Sequence, residues 1–364
     1  MKKTLLWLLI VMLSVSMIAT FSLAGCDKAG EAEEEVIAEE EEEEVVAEEE
    51  EVAEEPADVP ITIKYAHMNT PESIAGKQAD YFANLVMEKN SSITVEVYPS
   101  SQLGTLQELA EMLGNGSVEM SHNTMAAMGS QYSSYGVLDT PYLYKDVDHL
   151  MRVTDINSPL MQTLNQGAIA AKNIRQLYTF YFGARELTCN EAIYAPEDLA
   201  DKKIRAIPFP IYMTAVEGMG AIATPIDWSE VPTALATGQA DGQENPVNVI
   251  FANKLFDVQS HCMLTNHIMA AQYVGINEDV WQSLSDNQQA AISEAAAEAS
   301  VYATDLTKDS ETTDVQNLID AGMTIITEAD GLDVDAFRAG VMTLVEERFN
   351  EVWGDLYNII AKIE

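Results

Sequence analysis

The sequence predicts an α/β protein made of two doubly wound α/β lobes, with a cleft between them and a long helix that spans both. Three observations predict this fold class. Strand and helix patterns alternate from Ile61 onward, as in parallel sheets covered by helices. About 300 residues follow the N-terminal segment, which is too many for one core and enough for two. The stretch from Asp286 to Ala321 is one alanine-rich, mostly helical run, longer than one lobe requires.

The predicted first lobe begins with a βαβαβ pattern. Its first strand starts at Ile61, where apolar and polar residues alternate, and Thr70 before a proline predicts a helix with Thr70 as its N-cap. A second strand at 93–97, a helix that ends near Gly114 and a third strand at 118–122 complete the pattern. Strands joined by helices in this way run parallel, so we expect a doubly wound sheet here.

A second set of strands and helices begins at Ile174, and its first strand is predicted to run through the apolar residues up to Ala184. Further strands are predicted at Lys203–Ala206, Ala223–Ile226, Ala240–Glu244 and Gln272–Ile276. We expect two separate sheets, one in each lobe. Lobe I is assigned residues 59–182 plus about 271–310, and lobe II residues 183–270 plus about 311–364. Ligands of open parallel sheets bind at the carboxyl ends of the strands, so those ends should face the cleft.

The N-terminus has the pattern of a lipoprotein signal peptide. Two lysines follow Met1, an apolar run extends from Leu5 to Leu23, and the run ends in Ala24-Gly25-Cys26. A transmembrane anchor is the alternative, because the run is nearly long enough to span a bilayer. We expect residues 1–25 to be removed and Cys26 to carry diacylglycerol, whose two acyl chains, such as palmitate, hold a protein stably on the cell membrane, here at its extracytoplasmic face.

Residues 26–58 contain the lipidated cysteine and an acidic segment of Glu, Ala and Val. Blocks of glutamate repel one another and bury no apolar surface, so we expect a disordered tether, with a fluctuating helix as the alternative. The formal net charge of the sequence is −40, and the part after the tether is also acidic. This charge argues against nucleic acid and anionic lipid as partners. An anionic ligand would therefore need a few specific arginines.

Motifs of catalysis and metal binding are missing from the sequence. It contains no nucleophile elbow, phosphate loop or zinc-protease motif, and its five histidines are scattered. We therefore expect no enzyme, no cofactor and no metal site, and a protein that acts as a monomer. Cys189 and Cys262 could form a disulfide, but their spacing does not require it and two free thiols are favoured.

Two arginines have the sequence context of an anion site. Arg185 follows the strand that is predicted to end at Ala184, and Arg205 ends the short strand near Ile204. Both would lie close to carboxyl ends of strands, where a ligand in the cleft binds. A guanidinium group matches a carboxylate with two parallel hydrogen bonds and keeps its charge. The alternative for each arginine is an ion pair with one of the many surface carboxylates.

The stretch from Gly183 to Pro246 resembles the solute-binding proteins of TRAP (tripartite ATP-independent periplasmic) transporters, the DctP family. The motifs that carry the resemblance are Gly183–Thr188, Pro196–Leu199, Lys202–Arg205, Trp228–Val231 and Ala240–Pro246, with weaker similarity from Ile61 onward at Tyr98–Gly104 and Asp139–Tyr142. The resemblance implies a periplasmic-binding-protein-like fold. It also implies an extracytoplasmic receptor that delivers its solute to the membrane subunits of an ion-gradient-driven permease.

The same resemblance implies roles for particular residues. In that family the arginine at the position of Arg205 binds the carboxylate of the substrate, and sialic-acid-binding members use a further arginine at the position of Arg185. Asn245 matches an asparagine that hydrogen-bonds the ligand, and Trp228 matches an aromatic residue that packs on it, although core packing is its alternative. Candidates in the first lobe, chosen because they lie at or just after predicted strand ends, are His67, Asn69, Asn123 and Thr124.

The chain departs from the sialic-acid pattern at three positions. Pro208 replaces an asparagine, and Thr124 and Ala127 replace a glutamate and an arginine. These differences favour a smaller organic acid, with a sugar acid such as a hexuronate or aldonate ahead of a dicarboxylate or keto acid. A receptor that feeds a membrane signalling sensor and a lipoprotein enzyme with a bilobed fold are the other functions considered.

Overall fold

The computed structural model describes residues 58–364. The predictions for the signal peptide, for Cys26 and for the tether up to residue 57 lie outside the described residues. The strands are β1 (Ile61–Ala66), β2 (Ile93–Tyr98), β3 (Met120–Thr124), β4 (Ile174–Cys189), β5 (Lys203–Ala206), β6 (Ile222–Pro225), β7 (Gly242–Pro246), β8 (His261–Asn277) and β9 (Thr324–Ile326). The helices are α1 (Ile74–Lys89), α2 (Leu106–Asn115), α3 (Met125–Gln131), α4 (Val147–Thr154), α5 (Pro159–Lys172), α6 (Pro210–Gly218), α7 (Val231–Ala236), α8 (Val247–Ala252), α9 (Glu278–Ser283), α10 (Asp286–Asp320) and α11 (Val334–Ile360).

The α/β fold class is confirmed, but the prediction of two separate sheets is wrong. The strands of residues 58–364 form one sheet with the order β2-β1-β3-β8-β4-β7-β5-β6, and β9 pairs with β8. Parallel pairs occur toward both ends, where β1 contacts β2 and β3, and β5 contacts β6 and β7. Between them, β4 and β8 are 16 and 17 residues long and pair antiparallel along most of their length. These two strands join both halves of the molecule.

The register of β4 and β8 is interrupted next to the predicted lobe boundary. Tyr181 pairs with Ala271 and Gly183 pairs with Ala270, so Phe182 is left without a partner on β8. Gly183 has a φ of 125°, which side chains other than glycine rarely adopt. Such irregularities bend a strand locally and increase its twist. The division at 182/183 and 270/271 stays a prediction.

Local signals for the helices of the first half were partly correct. α2 ends at Gly116 with a φ of 75°, close to the predicted end near Gly114, and it begins after Thr105, which forms a capping box with Glu108 that was not predicted. α1 instead begins after Ser73, whose side chain accepts a hydrogen bond from the N–H of Gly76 over 3.1 Å. The predicted cap at Thr70 is wrong because residues 70–73 form a turn, closed by the N–H of Ser73 donating to the Thr70 carbonyl oxygen over 3.1 Å.

The long helix is confirmed as α10, whose 35 residues extend over roughly 50 Å. It packs against α1, where Tyr302 stacks on Tyr81 with ring centroids 4.2 Å apart, and against β4, where the hydroxyl of Ser300 donates to the carbonyl oxygen of Thr179. Its later turns pack against α8 and β9. Within residues 58–364, the apolar stretches of the helices are too short to cross a bilayer.

Candidate functional site

A cavity lies where the central strands meet the carboxyl ends of the shorter ones. Its apolar wall is formed by Met68, Leu106, Phe182, Ile207, Trp228 and Val249. Its polar lining consists of Asn69, Thr124 and Gln272 on the side of β1, β3 and β8, and of Arg185, Arg205 and Asn245 on the side of β4, β7 and β5. The structure therefore brings together six of the eight predicted ligand-binding residues. His67 and Asn123 do not line this cavity.

Arg205 places a buried cation at the cavity. Its side chain is 1% exposed, and its Nε donates to the carbonyl oxygen of Ile226 over 2.8 Å. Its Nη2 donates to no atom of the described residues, and none of their ion pairs includes Arg205. Burial lowers the pKa of this guanidinium to about 10, so it remains charged at neutral pH. A buried charge without a counterion is unfavourable, so the site is suited to an anion.

Arg185 lies inside β4 and not after its end. The prediction that this strand stops at Ala184 is wrong, because β4 continues to Cys189 through pairing with β7 and β8. Arg185 is opposite Pro246 on β7 and opposite Ile268 on β8. Its guanidinium also lies over the ring of Tyr212, with 5.1 Å between Cζ and the ring centroid. The position of Arg185 is thus fixed by strand pairing on both sides.

Glu244 is the counterion of Arg185. Nε and Nη2 of Arg185 both contact the Glu244 carboxylate, the latter over 2.9 Å to Oε1, and Nη2 also donates to the Glu244 carbonyl oxygen over 2.8 Å. His267 Nε2 lies 3.2 Å from Oε2 of the same carboxylate. Burial alone would raise the pKa of Glu244, but the charge of Arg185 and the hydrogen bond with His267 hold that pKa at about 2. Among the described residues that line the cavity, Arg205 is therefore the cation without a salt-bridge partner.

Asn245 and Trp228 contact the two arginines. The Oδ1 atom of Asn245 accepts a hydrogen bond from Arg185 Nη2 over 3.1 Å, and its Nδ2 donates to Oε1 of Gln243 over 2.5 Å. The indole ring of Trp228 lies with its centroid 5.8 Å from Cζ of Arg205. An aromatic ring beside a guanidinium attracts the cation and restricts its rotamers. Both residues therefore orient the arginines from within the protein.

Asn69 and Thr124 form the opposite polar wall. The Oδ1 atom of Asn69 lies 2.9 Å from His122 Nε2, and the Nδ1 atom of His122 lies 2.9 Å from the hydroxyl of Tyr65. Thr124 is the N-cap of α3, and its Oγ1 accepts a hydrogen bond from the N–H of Ala127 over 3.1 Å. Their positions are thus set by a buried hydrogen-bond chain and by a helix cap.

The other two first-lobe candidates lie behind the cavity wall. His67 is 1% exposed, stacks on His122 with ring centroids 4.4 Å apart, and has no hydrogen-bond partner for either ring nitrogen among the described residues. Burial lowers the pKa of His67 to about 4. Asn123 donates from Nδ2 to the carbonyl oxygen of Leu106 over 2.8 Å and accepts from the N–H of Thr124 over 2.9 Å. The contacts of Asn123 anchor the start of α2 and the end of β3.

Sequence reasoning missed three residues of the site. In the sequence, Glu244 stood out only as a member of the motif Ala240–Pro246. Its ion pair with Arg185 depends on the contact between β4 and β7. His267 looked like one of several scattered histidines. Gln272 is the polar residue inside the apolar run Ile268–Ile276, and that break in the pattern was the available signal.

The metal-binding residue types and the cysteines of residues 58–364 form neither a ligand cluster nor a disulfide. Within residues 58–364, no three His, Cys, Asp or Glu side chains come close enough together to hold a metal ion. Cys189 and Cys262 are buried free thiols.

The comparisons with known proteins agree with one another. Residues 65–351 match bacterial extracellular solute-binding protein family 7, DctP. The chain is 32% identical to the C4-dicarboxylate-binding periplasmic protein DctP of Rhodobacter capsulatus over 267 residues, 73% of this chain and 79% of that protein. It is 30% identical to the sialic acid-binding periplasmic protein SiaP of Vibrio cholerae over 287 residues, 79% of this chain and 88% of that protein.

A solved structure extends the likeness to the fold. The TRAP periplasmic solute-binding protein RD1_1052 of Roseobacter denitrificans, with bound L-galactonate, superimposes with a TM-score of 0.78 at 28% identity and covers 84% of this chain and all of its own. The match spans both halves of the sheet, which confirms the two-lobe, periplasmic-binding-protein-like fold. The chain belongs to the DctP family of extracellular solute-binding proteins, the receptors of TRAP transporters.

Proposed function

We propose that this protein captures a small sugar acid and that Arg205 binds the carboxylate of that acid. The observation that carries the proposal is the buried guanidinium of Arg205, which has no counterion among the described residues. A carboxylate would supply the missing charge and accept two parallel hydrogen bonds from such a group. Arg185 and Asn245 would assist from the adjacent wall, and Trp228 would pack against the apolar side of the ligand.

Relatives of the chain support a sugar acid. The RD1_1052 structure contains L-galactonate, and the YiaO protein of Escherichia coli, 28% identical over 282 residues, is named for binding 2,3-diketo-L-gulonate. The DctP protein of Rhodobacter capsulatus is named for binding C4-dicarboxylates, so a dicarboxylate is the second candidate. The sugar acid is favoured because the cavity wall opposite Arg205 carries amide and hydroxyl groups.

Capture would involve separation and closure of the two lobes. Arg185 and Arg205 are each 1% exposed, so a ligand reaches them when the walls of the cavity move apart. The irregular pairing of β4 and β8 around Phe182 is the proposed bend, because strands are least constrained where their register is interrupted. Closure excludes water, and an ion pair is stronger in the resulting low dielectric.

We further propose that the receptor acts as a monomeric binding protein and not as an enzyme, and that it delivers its ligand to the membrane subunits of a TRAP permease. Lipid on Cys26 would hold it at the extracytoplasmic face of the cell membrane, with the acidic segment that ends before Asp58 as the spacer, since Asp58 already accepts hydrogen bonds from Asn90 and Ser285. A tether of about 30 residues spans roughly 30 Å and would keep the receptor near its permease.

Ligand binding is tested by thermal unfolding of the purified protein with a panel of aldonates, hexuronates, dicarboxylates and keto acids. A cognate acid at 100 times its dissociation constant should stabilise the fold by about 2.7 kcal/mol. Sugar acids should produce the largest shifts, and mass spectrometry should recover the ligand unchanged. Turnover of the acid would contradict the assignment as a binding protein. Stabilisation by none of these acids would contradict the carboxylate site itself.

Lipid attachment is tested by changing Cys26 to serine and expressing the chain in a bacterium with a lipoprotein pathway. The unchanged chain should incorporate labelled palmitate and sediment with membranes, whereas the variant should do neither. Thermal shifts by the cognate acid should be equal in both proteins, because the binding cavity lies in residues 58–364. Equal incorporation of palmitate into both proteins would contradict lipidation at Cys26.

A further inference from the structure

We infer that Gln272 determines specificity, by selecting a monocarboxylate whose far end is a neutral hydroxyl group over a dicarboxylate of the same length. The inference rests on the proposed function, since it concerns the end of the ligand away from Arg205. It depends on two properties of the cavity that are independent of each other. One is the amide oxygen of Gln272, which has no hydrogen-bond partner among the described residues, and the other is the charge balance of the cavity lining.

The amide oxygen of Gln272 is buried and has no hydrogen-bond partner among the described residues. The residue lies in the middle of β8, opposite Thr124 on β3 and Phe180 on β4, and is 2% exposed. Its Oε1 accepts no hydrogen bond from the described residues. Burying an unsatisfied amide is unfavourable, so a ligand group that satisfies it gains free energy from this contact. Directly opposite residues of an antiparallel pair point to the same face, so Thr124 and Gln272 form one polar patch of the wall.

A hydroxyl group fits this patch better than a carboxylate does. A hydroxyl donates one hydrogen bond and accepts others, so it can satisfy both the oxygen and the nitrogen of a primary amide. An ionised carboxylate only accepts, so it would leave the amide oxygen of Gln272 without a donor. The Thr124 hydroxyl accepts from the N–H of Ala127 and can donate its own hydrogen to an alcohol or to a carboxylate, so the selection rests on the amide oxygen of Gln272. The patch therefore favours an alcohol.

The charges of the cavity also favour a ligand with one carboxylate over a dicarboxylate. Among the described residues that line it, only Arg185 and Arg205 are charged, and Glu244 neutralises Arg185. One uncompensated positive charge remains, which one carboxylate balances. A second carboxylate would be buried on a wall of amide, hydroxyl and apolar groups without a cation, and such a charge is strongly unfavourable. The site is thus electrically matched to a monoanion.

Matched ligand pairs test the inference by isothermal titration calorimetry. The pairs are L-galactonate with galactarate, D-erythronate with meso-tartrate, and 4-hydroxybutyrate with succinate, in which a terminal alcohol is replaced by a carboxylate. In every pair that binds, we expect the monoacid to bind at least about 100-fold more tightly. Equal or tighter binding of the diacid would overturn the inference and leave the proposed function intact. Binding only of acids that lack a hydroxyl group would also overturn it.

Substitution of Gln272 by methionine tests the role of the amide. Methionine keeps the length of the side chain and removes its hydrogen-bonding groups, so binding of the preferred hydroxy acid should weaken roughly 10- to 100-fold. Binding of a short acid without a distal hydroxyl, such as propionate, should change less than threefold. A Q272M protein that binds the hydroxy acid as tightly as the parent would refute the role of Gln272.

Gln176 provides the matched control. It is also a buried glutamine with no partner for its amide among the described residues, and it lies in β4 away from this cavity. The Q176M variant should bind all of the acids as the parent does. A loss of affinity in Q176M equal to that in Q272M would mean that loss of any buried amide weakens binding, and would overturn the inference. Failure of every acid to bind the parent would instead refute the proposed function.

Discussion

Replacing Arg205 by methionine is expected to weaken binding of the cognate acid by about 3–5 kcal/mol, which is a loss of affinity of roughly 10²-fold to a few times 10³-fold. The carboxylate would then be buried without its cation. The same change should make the ligand-free protein more stable, because it removes a buried guanidinium whose Nη2 has no partner among the described residues. Opposite signs for binding and for stability are characteristic of a binding group that is unfavourable in the empty site.

Calorimetry with the cognate acid and urea unfolding without it measure the two effects. Arg175 is the control, since it donates from Nε and Nη2 to the carboxylate of Glu278 over 2.6 and 2.8 Å and lies outside the cavity. The R175M variant should bind the acid normally and should not gain stability, because it leaves Glu278 without its partner. Unchanged affinity in R205M would show that another group binds the carboxylate.

Replacing Glu244 by glutamine is expected to lower the free energy of unfolding by about 3 kcal/mol at pH 7. The change leaves the buried charge of Arg185 without its counterion, while the shape of the side chain is nearly kept. The pKa of Glu244 is lowered to about 2 in the folded protein, below its usual value of 4.5. This contribution is therefore fully present above about pH 4.5 and is lost as the pH falls toward 2.

Urea unfolding of the parent and of E244Q between pH 2.5 and 7 measures this prediction. The difference in stability should be largest at pH 7 and should shrink continuously below about pH 4.5. E278Q is the matched control, because its side chain is 12% exposed against 1% for Glu244 and its partner Arg175 reaches solvent. The E278Q change should lower the free energy of unfolding by about 1 kcal/mol or less. A pH-independent difference for E244Q would mean that the loss comes from packing and not from charge.

The sequence predicted the local elements well and the connection between the lobes poorly. Periodicity and capping residues indicate α2, the strand near Arg205 and the 35-residue helix α10. The full lengths of β4 and β8 were not predicted, because Gly183 interrupts the apolar pattern of β4 and the polar residues near Asn266 interrupt that of β8. The two strands continue past these interruptions because β4 and β8, which are distant in the sequence, pair antiparallel with each other. Pairing between residues about 90 positions apart leaves no periodic signal in either segment.

The same contrast between local sequence signals and tertiary contacts applies to the residues of the candidate site. Arg205 could be predicted because a basic residue at the end of a short parallel strand faces the ligand in such folds, and this inference needs only local sequence. The roles of Glu244 and Gln272 could not be predicted, because they depend on which side chains the sheet brings together. Whether an arginine is available to a ligand is decided by its partner, and partners come from tertiary structure.

Three residues that line the cavity, Phe182, Arg185 and Gln272, lie inside the long paired strands β4 and β8, and this has a consequence for how new specificities can arise. Insertion or deletion of one residue in a paired strand turns every following side chain to the opposite face. Sites built from surface loops tolerate such changes in length. We therefore expect descendants of this chain to acquire new solutes through exchange of side chains at fixed positions such as Gln272, with the length of both strands unchanged.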